Sequence, residues 1–121
     1  MAYTEFGEFF RILRIKNHEV LADAKKFLGV STAFISSVEC GKKPVPSDWF
    51  DKITDHYNLS QEEQDELRLA IDNSKKIIKF DLSSASSLQK TVVLQFQRSF
   101  DEADEETMKE IQKILERRFK K

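Results

Sequence analysis

The 121-residue chain has one cysteine, three glycines and two prolines. One cysteine cannot form an internal disulfide, and Cys40 has no companion cysteine or histidine cluster with the spacing of a zinc site, so we expect no metal. Its simplest role is that of a small reduced residue near a helix end, with oxidant sensing as the alternative. No glycine-rich phosphate loop and no spaced set of nucleophile, base and acid are present, which predicts neither an enzyme nor a cofactor.

The chain also has no apolar run close to the roughly 20 residues that cross a bilayer, and its first residues lack the order of a signal peptide. We therefore expect a cytoplasmic protein without membrane contact. The total charge is nearly balanced, with 20 basic and 21 acidic residues. Their distribution is uneven, because residues 1–46 carry net +2, residues 47–73 carry −6 and residues 74–121 carry +3. The basic blocks are where an anionic partner would be expected to bind.

Apolar residues at helical spacing predict five short helices within residues 1–72. The first extends from about Thr4 to Lys16. The second and third lie within residues 21–44 and join at Gly29, which can adopt the positive φ of a tight turn, while Ser31 can cap the third helix. The core between these two helices is predicted from four aliphatic residues: Leu28, Val30, Ile35 and Val38.

The fourth and fifth predicted helices are bounded by polar residues that cap helix ends. Ser47 is expected to begin the fourth helix after the stiff link of residues 44–46, and Asn58 is expected to end it. Ser60 and Glu63 match a capping box, which predicts the start of the fifth helix. Apolar residues in both helices can then close a small helical bundle.

The third predicted helix carries short side chains on the face opposite Ile35 and Val38. The surrounding segment resembles the helix-turn-helix of the Xre family, the lambda-repressor-like Cro/CI type of DNA-binding domain. The resemblance rests on Gly29, Val30, the Ile35 and Val38 pair and the run from Glu39 to Lys42, and it covers roughly the first 70 residues. It implies a five-helix DNA-binding domain in residues 1–72, whose base-contacting residues in the major groove would be Thr32, Ala33, Ser36 and Ser37.

Basic residues stand on both sides of this motif, and phosphate contacts supply much of the affinity of such domains for DNA. Two positions differ from the family pattern. Leu21 stands where a glutamine usually opens the motif, and Lys25 stands where a small residue usually lets the two helices cross, so we expect its stem to snorkel or the crossing to loosen. The predicted phosphate contacts are Arg14, Lys16, Lys26, Ser31, Lys42 and Lys43.

Residues 73–121 have a different pattern. Apolar residues alternate from Lys76 to Leu82, which predicts one short strand, and two amphipathic helices after it predict a helical hairpin. A lone strand needs a partner, so we expect it to pair with a second copy of the chain, with docking on a different protein as the alternative. This region is therefore predicted to form a dimer, with contacts at Ile78, Phe80, Leu82, Val92 and Phe96.

These patterns predict a mainly α protein that binds double-stranded DNA in a sequence-specific way as a homodimeric transcriptional regulator, namely a repressor. A symmetric pair could read two half-sites about one helical turn apart. The predicted base-contacting face is uncharged, which favours contacts to thymine methyl groups and readout of DNA shape. The alternative is a protein-interaction module, such as an antitoxin or a phage-encoded inhibitor, that binds a partner through its C-terminal region and only autoregulates through the helix-turn-helix.

Overall fold

The computed structural model describes residues 2–119 and has seven helices and no strand in that range. The chain divides into two compact units, residues 1–78 and residues 79–121. The predicted mainly α class is thus confirmed. The helices are α1 (Glu5–Lys16), α2 (Leu21–Leu28), α3 (Thr32–Glu39), α4 (Trp49–Tyr57), α5 (Gln61–Asn73), α6 (Ser87–Ser99) and α7 (Glu105–Phe119).

The strand predicted from Lys76 to Leu82 is wrong. A strand is defined by backbone hydrogen bonds to a second extended segment, and no described residue forms a strand that could supply them. The segment instead ends in a local turn, in which the Ala85 backbone N–H donates to the Leu82 carbonyl at 3.1 Å. Alternating apolar residues indicate one apolar face but do not provide a pairing partner, so the pattern alone overpredicted the strand.

The first unit is a bundle of helices α1 to α5 around one core. Helix α1 packs against α5 and α3, α2 packs against α3 and α4, and α4 packs against α5. Helix α1 contributes residues spaced by one and two turns, which places them on one face. The buried core side chains include Phe6, Phe10, Leu13, Leu28, Ile35, Val38, Trp49, Ile53 and Leu67.

Most predicted helix ends of the bundle are confirmed. Ser31 and Ser60 accept hydrogen bonds from backbone N–H groups of α3 and α5, and Glu63 completes the predicted capping box. Gly29 ends α2 with φ +71°. Helix α4 differs from the prediction, because its N-cap is Asp48 rather than Ser47.

The crossing of α2 and α3 corrects one expectation. Ala24 is fully buried in α2, whereas Lys25 is exposed. The small position of α2 therefore lies one residue earlier than the family spacing implies. The stem of Lys25 therefore does not have to enter the core.

The boundary between the units lies after residue 78, beyond the predicted boundary after residue 72. The chain that leaves α5 is still attached to the start of α1. Ser74 Oγ accepts from the Phe6 backbone N–H at 2.9 Å and donates to the Ala70 carbonyl at 2.7 Å, while Asn73 Nδ2 donates to Glu5 Oε2 at 2.9 Å. These contacts hold the end of α5 within the bundle.

The second unit contains α6 and α7, as predicted for its helical part. Ser86 and Gln89 form a capping box at the start of α6, and Asp104 accepts from the Thr107 backbone N–H at the start of α7. No residue of α6 is buried. No helix within residues 2–119 combines the length and the apolar character needed to cross a lipid bilayer.

Candidate nucleic-acid interface

Helix α3 presents its small residues away from the core. It buries Ile35, Val38 and Glu39. Ala33 is exposed, and the other three predicted base-contacting residues, Thr32, Ser36 and Ser37, are partly exposed. None of the four belongs to the core, so this face has the accessibility that contact with another molecule requires.

Ser31 stands at the N-terminal end of α3. Its Oγ accepts from the Phe34 backbone N–H at 3.1 Å, and the residue is exposed. A serine hydroxyl that accepts one hydrogen bond still has its own proton to donate. Ser31 can therefore cap α3 and donate to an anionic oxygen at the same time.

Two exposed lysines, Lys42 and Lys43, follow α3 after Cys40 and Gly41. The backbone N–H groups of Lys42 and Lys43 both donate to the Ser37 carbonyl, at 2.8 and 3.3 Å, so the turn after the helix is held by hydrogen bonds. Lys43 Nζ also lies 5.7 Å from the centre of the Phe34 ring, within the range of a cation–π contact. The backbone of both lysines is therefore held next to the last turn of α3.

The start of α1 holds the end of α3 in place. Thr4 donates from both its backbone N–H and its Oγ1 to the Glu39 carbonyl, at 2.9 and 3.0 Å. Gly7 faces the same carbonyl so closely that a Cβ at this position would collide with the Glu39 oxygen. Helices α1 and α3 can approach this closely only because residue 7 has no side chain.

Arg14 is not available as the predicted phosphate contact, and this prediction is corrected. Its Nη1 lies 2.7 Å from Glu39 Oε2, and the two side chains are only 8% and 3% exposed. The guanidinium also lies 4.7 Å from the centre of the Phe10 ring. Turning Arg14 towards a phosphate would leave the Glu39 carboxylate buried without its cation, which is strongly unfavourable.

The remaining predicted phosphate contacts are accessible. Lys16, Lys26, Lys42 and Lys43 are all exposed. Lys16 has an acidic neighbour in α5, because its charge contributes, after the hydrogen bonds at Ser60, to the lowered pKa of the Glu63 carboxyl.

A second polar cluster connects the residues before α2 to α4. Tyr57 Oη donates to Glu19 Oε1 at 2.6 Å, and His56 Nε2 lies 3.0 Å from Glu19 Oε2. The His56 ring stacks on Phe27 at a centroid distance of 3.8 Å. This cluster holds α2 and the residues just before it against α4.

The Glu19 cluster also changes the pKa values of its members. Burial is the largest single influence on Glu19 and raises its pKa, but the hydrogen bonds from Tyr57 and His56 outweigh it, so the pKa of this carboxyl lies below its ordinary value of 4.5. Burial, followed by the bond to Glu19, raises the pKa of the Tyr57 phenol. Glu19 is therefore held in its ionised form, which is the form that accepts both hydrogen bonds.

The predicted dimer contacts lie on exposed apolar side chains. Ile78 and Phe80 are 73% and 66% exposed, and Val92 and Phe96 are 53% and 41% exposed. Leu82 is partly exposed. These side chains are accessible to a partner, although those of residues 78–82 do not belong to a strand.

Sequence reasoning did not predict the contacts that position α3. Thr4, Gly7 and Glu39 hold the end of this helix, and Arg14 neutralises Glu39. Gly7 was the one available signal, because a lone glycine inside an amphipathic helix costs stability and therefore indicates a close approach of another backbone. The pairing of Arg14 with Glu39 has no local signal in the sequence.

Comparisons with protein-family models, with curated protein sequences and with solved structures gave no match to this chain.

Proposed function

We propose that the protein is a sequence-specific regulator of transcription that binds double-stranded DNA, a repressor of the lambda-repressor-like Xre type that acts as a homodimer. The observation that carries this proposal is the setting of α3. Its small side chains Thr32, Ala33, Ser36 and Ser37 remain outside the core, and Lys42 and Lys43 leave its C-terminal end. A helix with this arrangement can lie in the major groove while its flanking cations contact phosphates.

The four residues limit how the bases would be read. Hydroxyl groups of Thr32, Ser36 and Ser37 can donate to or accept from base edges, and the methyl group of Ala33 can contact a thymine methyl group. None can form the bidentate bonds of arginine with guanine or of asparagine with adenine. Recognition by one copy would therefore be modest, and a second copy on the same duplex would raise both affinity and selectivity.

The proposal is tested by changing the charge of the α3 face. First, duplexes that bind the full chain are selected from random-sequence DNA. The double variant Ser36→Glu/Ser37→Glu should then lose about thirtyfold or more in affinity. Two carboxylates would face base edges and phosphates, and each mismatched contact costs roughly 1–3 kcal/mol. Fluorescence anisotropy with a labelled duplex measures the dissociation constant.

The matched control is Ser84→Glu/Ser87→Glu, which makes the same charge change before and at the start of α6, where both serines are exposed. Circular dichroism must show that both variants remain folded. Equal affinity of the two double variants and the unchanged chain would exclude the α3 face from DNA binding.

A second function is favoured by the apolar surface of the C-terminal unit. Leu88, Val92, Phe96 and Phe100 follow each other at four-residue spacing and are all exposed. An apolar row of this kind is typical of a protein-binding face. The alternative proposal is therefore an interaction module, such as an antitoxin or inhibitor. Light scattering of the free chain separates the two proposals. A homodimer would cover this apolar row, whereas a chain with an unoccupied partner site would be a monomer.

A further inference from the structure

Three separate parts of the bundle meet at Gly41, directly after α3. A Cβ placed on Gly41 would lie 2.8 Å from Thr4 Cγ2 and 3.6 Å from both Cε and Nζ of Lys76. Thr4 precedes α1, and Lys76 follows α5. The ammonium group of Lys76 therefore lies beside the turn that leads into Lys42 and Lys43, although Lys76 is more than 30 residues from this turn in the sequence.

The position of Lys76 follows from the contacts just before it. Ser74 Oγ is bonded to the Phe6 backbone N–H, and Asn73 is bonded to Glu5, so the end of α5 is held against the start of α1. The start of α1 is in turn bonded through Thr4 to the last residue of α3. This chain of hydrogen bonds brings the residues that follow α5 to the exit of α3.

Lys76 and its neighbour Lys75 differ in their charge environment. Lys75 Nζ lies 3.3 Å from Asp72 Oδ1, in an ion pair within one turn. Lys76 has no carboxylate within 4.0 Å among the described residues, and it is exposed. Its positive charge therefore lies beside Gly41, the residue directly before Lys42 and Lys43.

We propose that Lys76 contacts a phosphate of the bound duplex, beside the phosphates contacted by Lys42 and Lys43. This inference rests on the proposed function, because it adds a contact to the same DNA site. The contact comes from a segment that sequence reasoning assigned to a strand in the dimerisation region. It also means that DNA holds the chain three residues before the second unit begins at Lys79.

The test measures the salt dependence of binding to the selected duplex for the full chain and for Lys76→Gln. Loss of one phosphate contact should weaken binding about three- to tenfold at low salt and reduce the slope of log K against log salt by about 0.9. Lys75→Gln is the matched control. It removes the same charge at the neighbouring position, where the lysine is already paired with Asp72. Lys76→Arg, which keeps the charge, should bind like the unchanged chain.

The outcomes separate the two proposals. If Lys42→Gln weakens binding while Lys76→Gln behaves like Lys75→Gln, the Lys76 contact is refuted and the proposed function stands. If the unchanged chain binds no duplex above the level expected for nonspecific binding, both are refuted. If Lys76→Arg is as weak as Lys76→Gln while circular dichroism shows both folded, charge is not what Lys76 contributes, and the inference is again refuted.

Discussion

The two units of this chain contain helices of similar length with similar capping, yet among the described residues only the first unit encloses a core. Ser60 begins α5 and Ser86 begins α6 through the same type of capping box. Helix α5 nevertheless buries Leu67 and Ala70, whereas α6 buries no residue. Good local signals are therefore enough to specify a helix but do not specify what the helix packs against.

The difference has a consequence for stability. The bundle fills its centre with large side chains such as Phe6, Phe10 and Trp49, and such burial is the main favourable term in folding. A pair of helices with exposed apolar rows has little of this term and usually needs a partner. The second unit should thus depend on association to a degree that the bundle does not.

The same substitution made in each unit gives the largest expected contrast. Phe10→Ala removes a fully buried ring and should lower the free energy of unfolding of the bundle by about 3–5 kcal/mol. Phe96→Ala removes a side chain that is 41% exposed and should change it by less than about 0.5 kcal/mol. Urea unfolding followed by the fluorescence of Trp49, the only tryptophan, reports on the bundle alone.

Equal destabilisation by the two alanine variants would show that the units unfold together. Light scattering distinguishes the two variants further. Phe96→Ala should weaken self-association, whereas Phe10→Ala should not weaken it under conditions in which the bundle remains folded.

The buried ion pair of the bundle gives the next largest effect. Arg14→Met should cost about 3–5 kcal/mol, because it leaves the Glu39 carboxylate buried without its cation. The double variant Arg14→Met/Glu39→Leu should recover most of this loss, since no uncompensated charge remains. Urea unfolding measures both, and additive losses in the double variant would contradict this account of the pair.

Gly7→Ala tests the close approach of α1 and α3. Helix propensity alone would make this change stabilising by about 0.5–1 kcal/mol. The Glu39 carbonyl leaves no space for a Cβ, so we expect destabilisation by about 1–3 kcal/mol instead. The sign of the change in the urea midpoint decides between stabilisation and destabilisation. The control Glu8→Ala, at an exposed position of the same helix, should change the midpoint little.

The smallest expected effect is a change in pH dependence. The pKa of Glu19 is lowered in the folded protein, so its contribution to stability is fully present above the ordinary value of 4.5 and is lost as the pH falls through the folded value. Glu19→Gln should cost about 1–2 kcal/mol at pH 7 and less at pH 3. Unfolding curves at both pH values measure this, with the exposed Glu66→Gln as the control. A loss of equal size at both pH values would show that ionisation of Glu19 contributes nothing.

Helix boundaries were the most predictable part of the fold. Ser31, Ser60 and Glu63 act through hydrogen bonds to groups three residues away, so the relevant partners lie within one short stretch of sequence. Gly29 ends α2 for an equally local reason. The outward face of α3 followed from helical spacing, because Ile35 and Val38 had to point inwards.

The errors share a different origin. The strand at residues 76–82 needed a partner segment, which periodicity cannot supply. Arg14 lies between the basic residues Arg11 and Lys16 in the sequence, but its partner Glu39 is 25 residues away. The closeness of Lys76 to Gly41 likewise depends on how α1, α3 and α5 meet.

The order of residues alone therefore determined where helices begin and end and which side of each is apolar, since these properties arise from interactions within one or two turns. The packing of the bundle decided which cations are buried and which meet beside α3, because those outcomes depend on distances between helices that are far apart along the chain. Arg14 and Lys76 illustrate this: Arg14 lies inside the bundle against Glu39, and Lys76 lies at its surface beside Gly41.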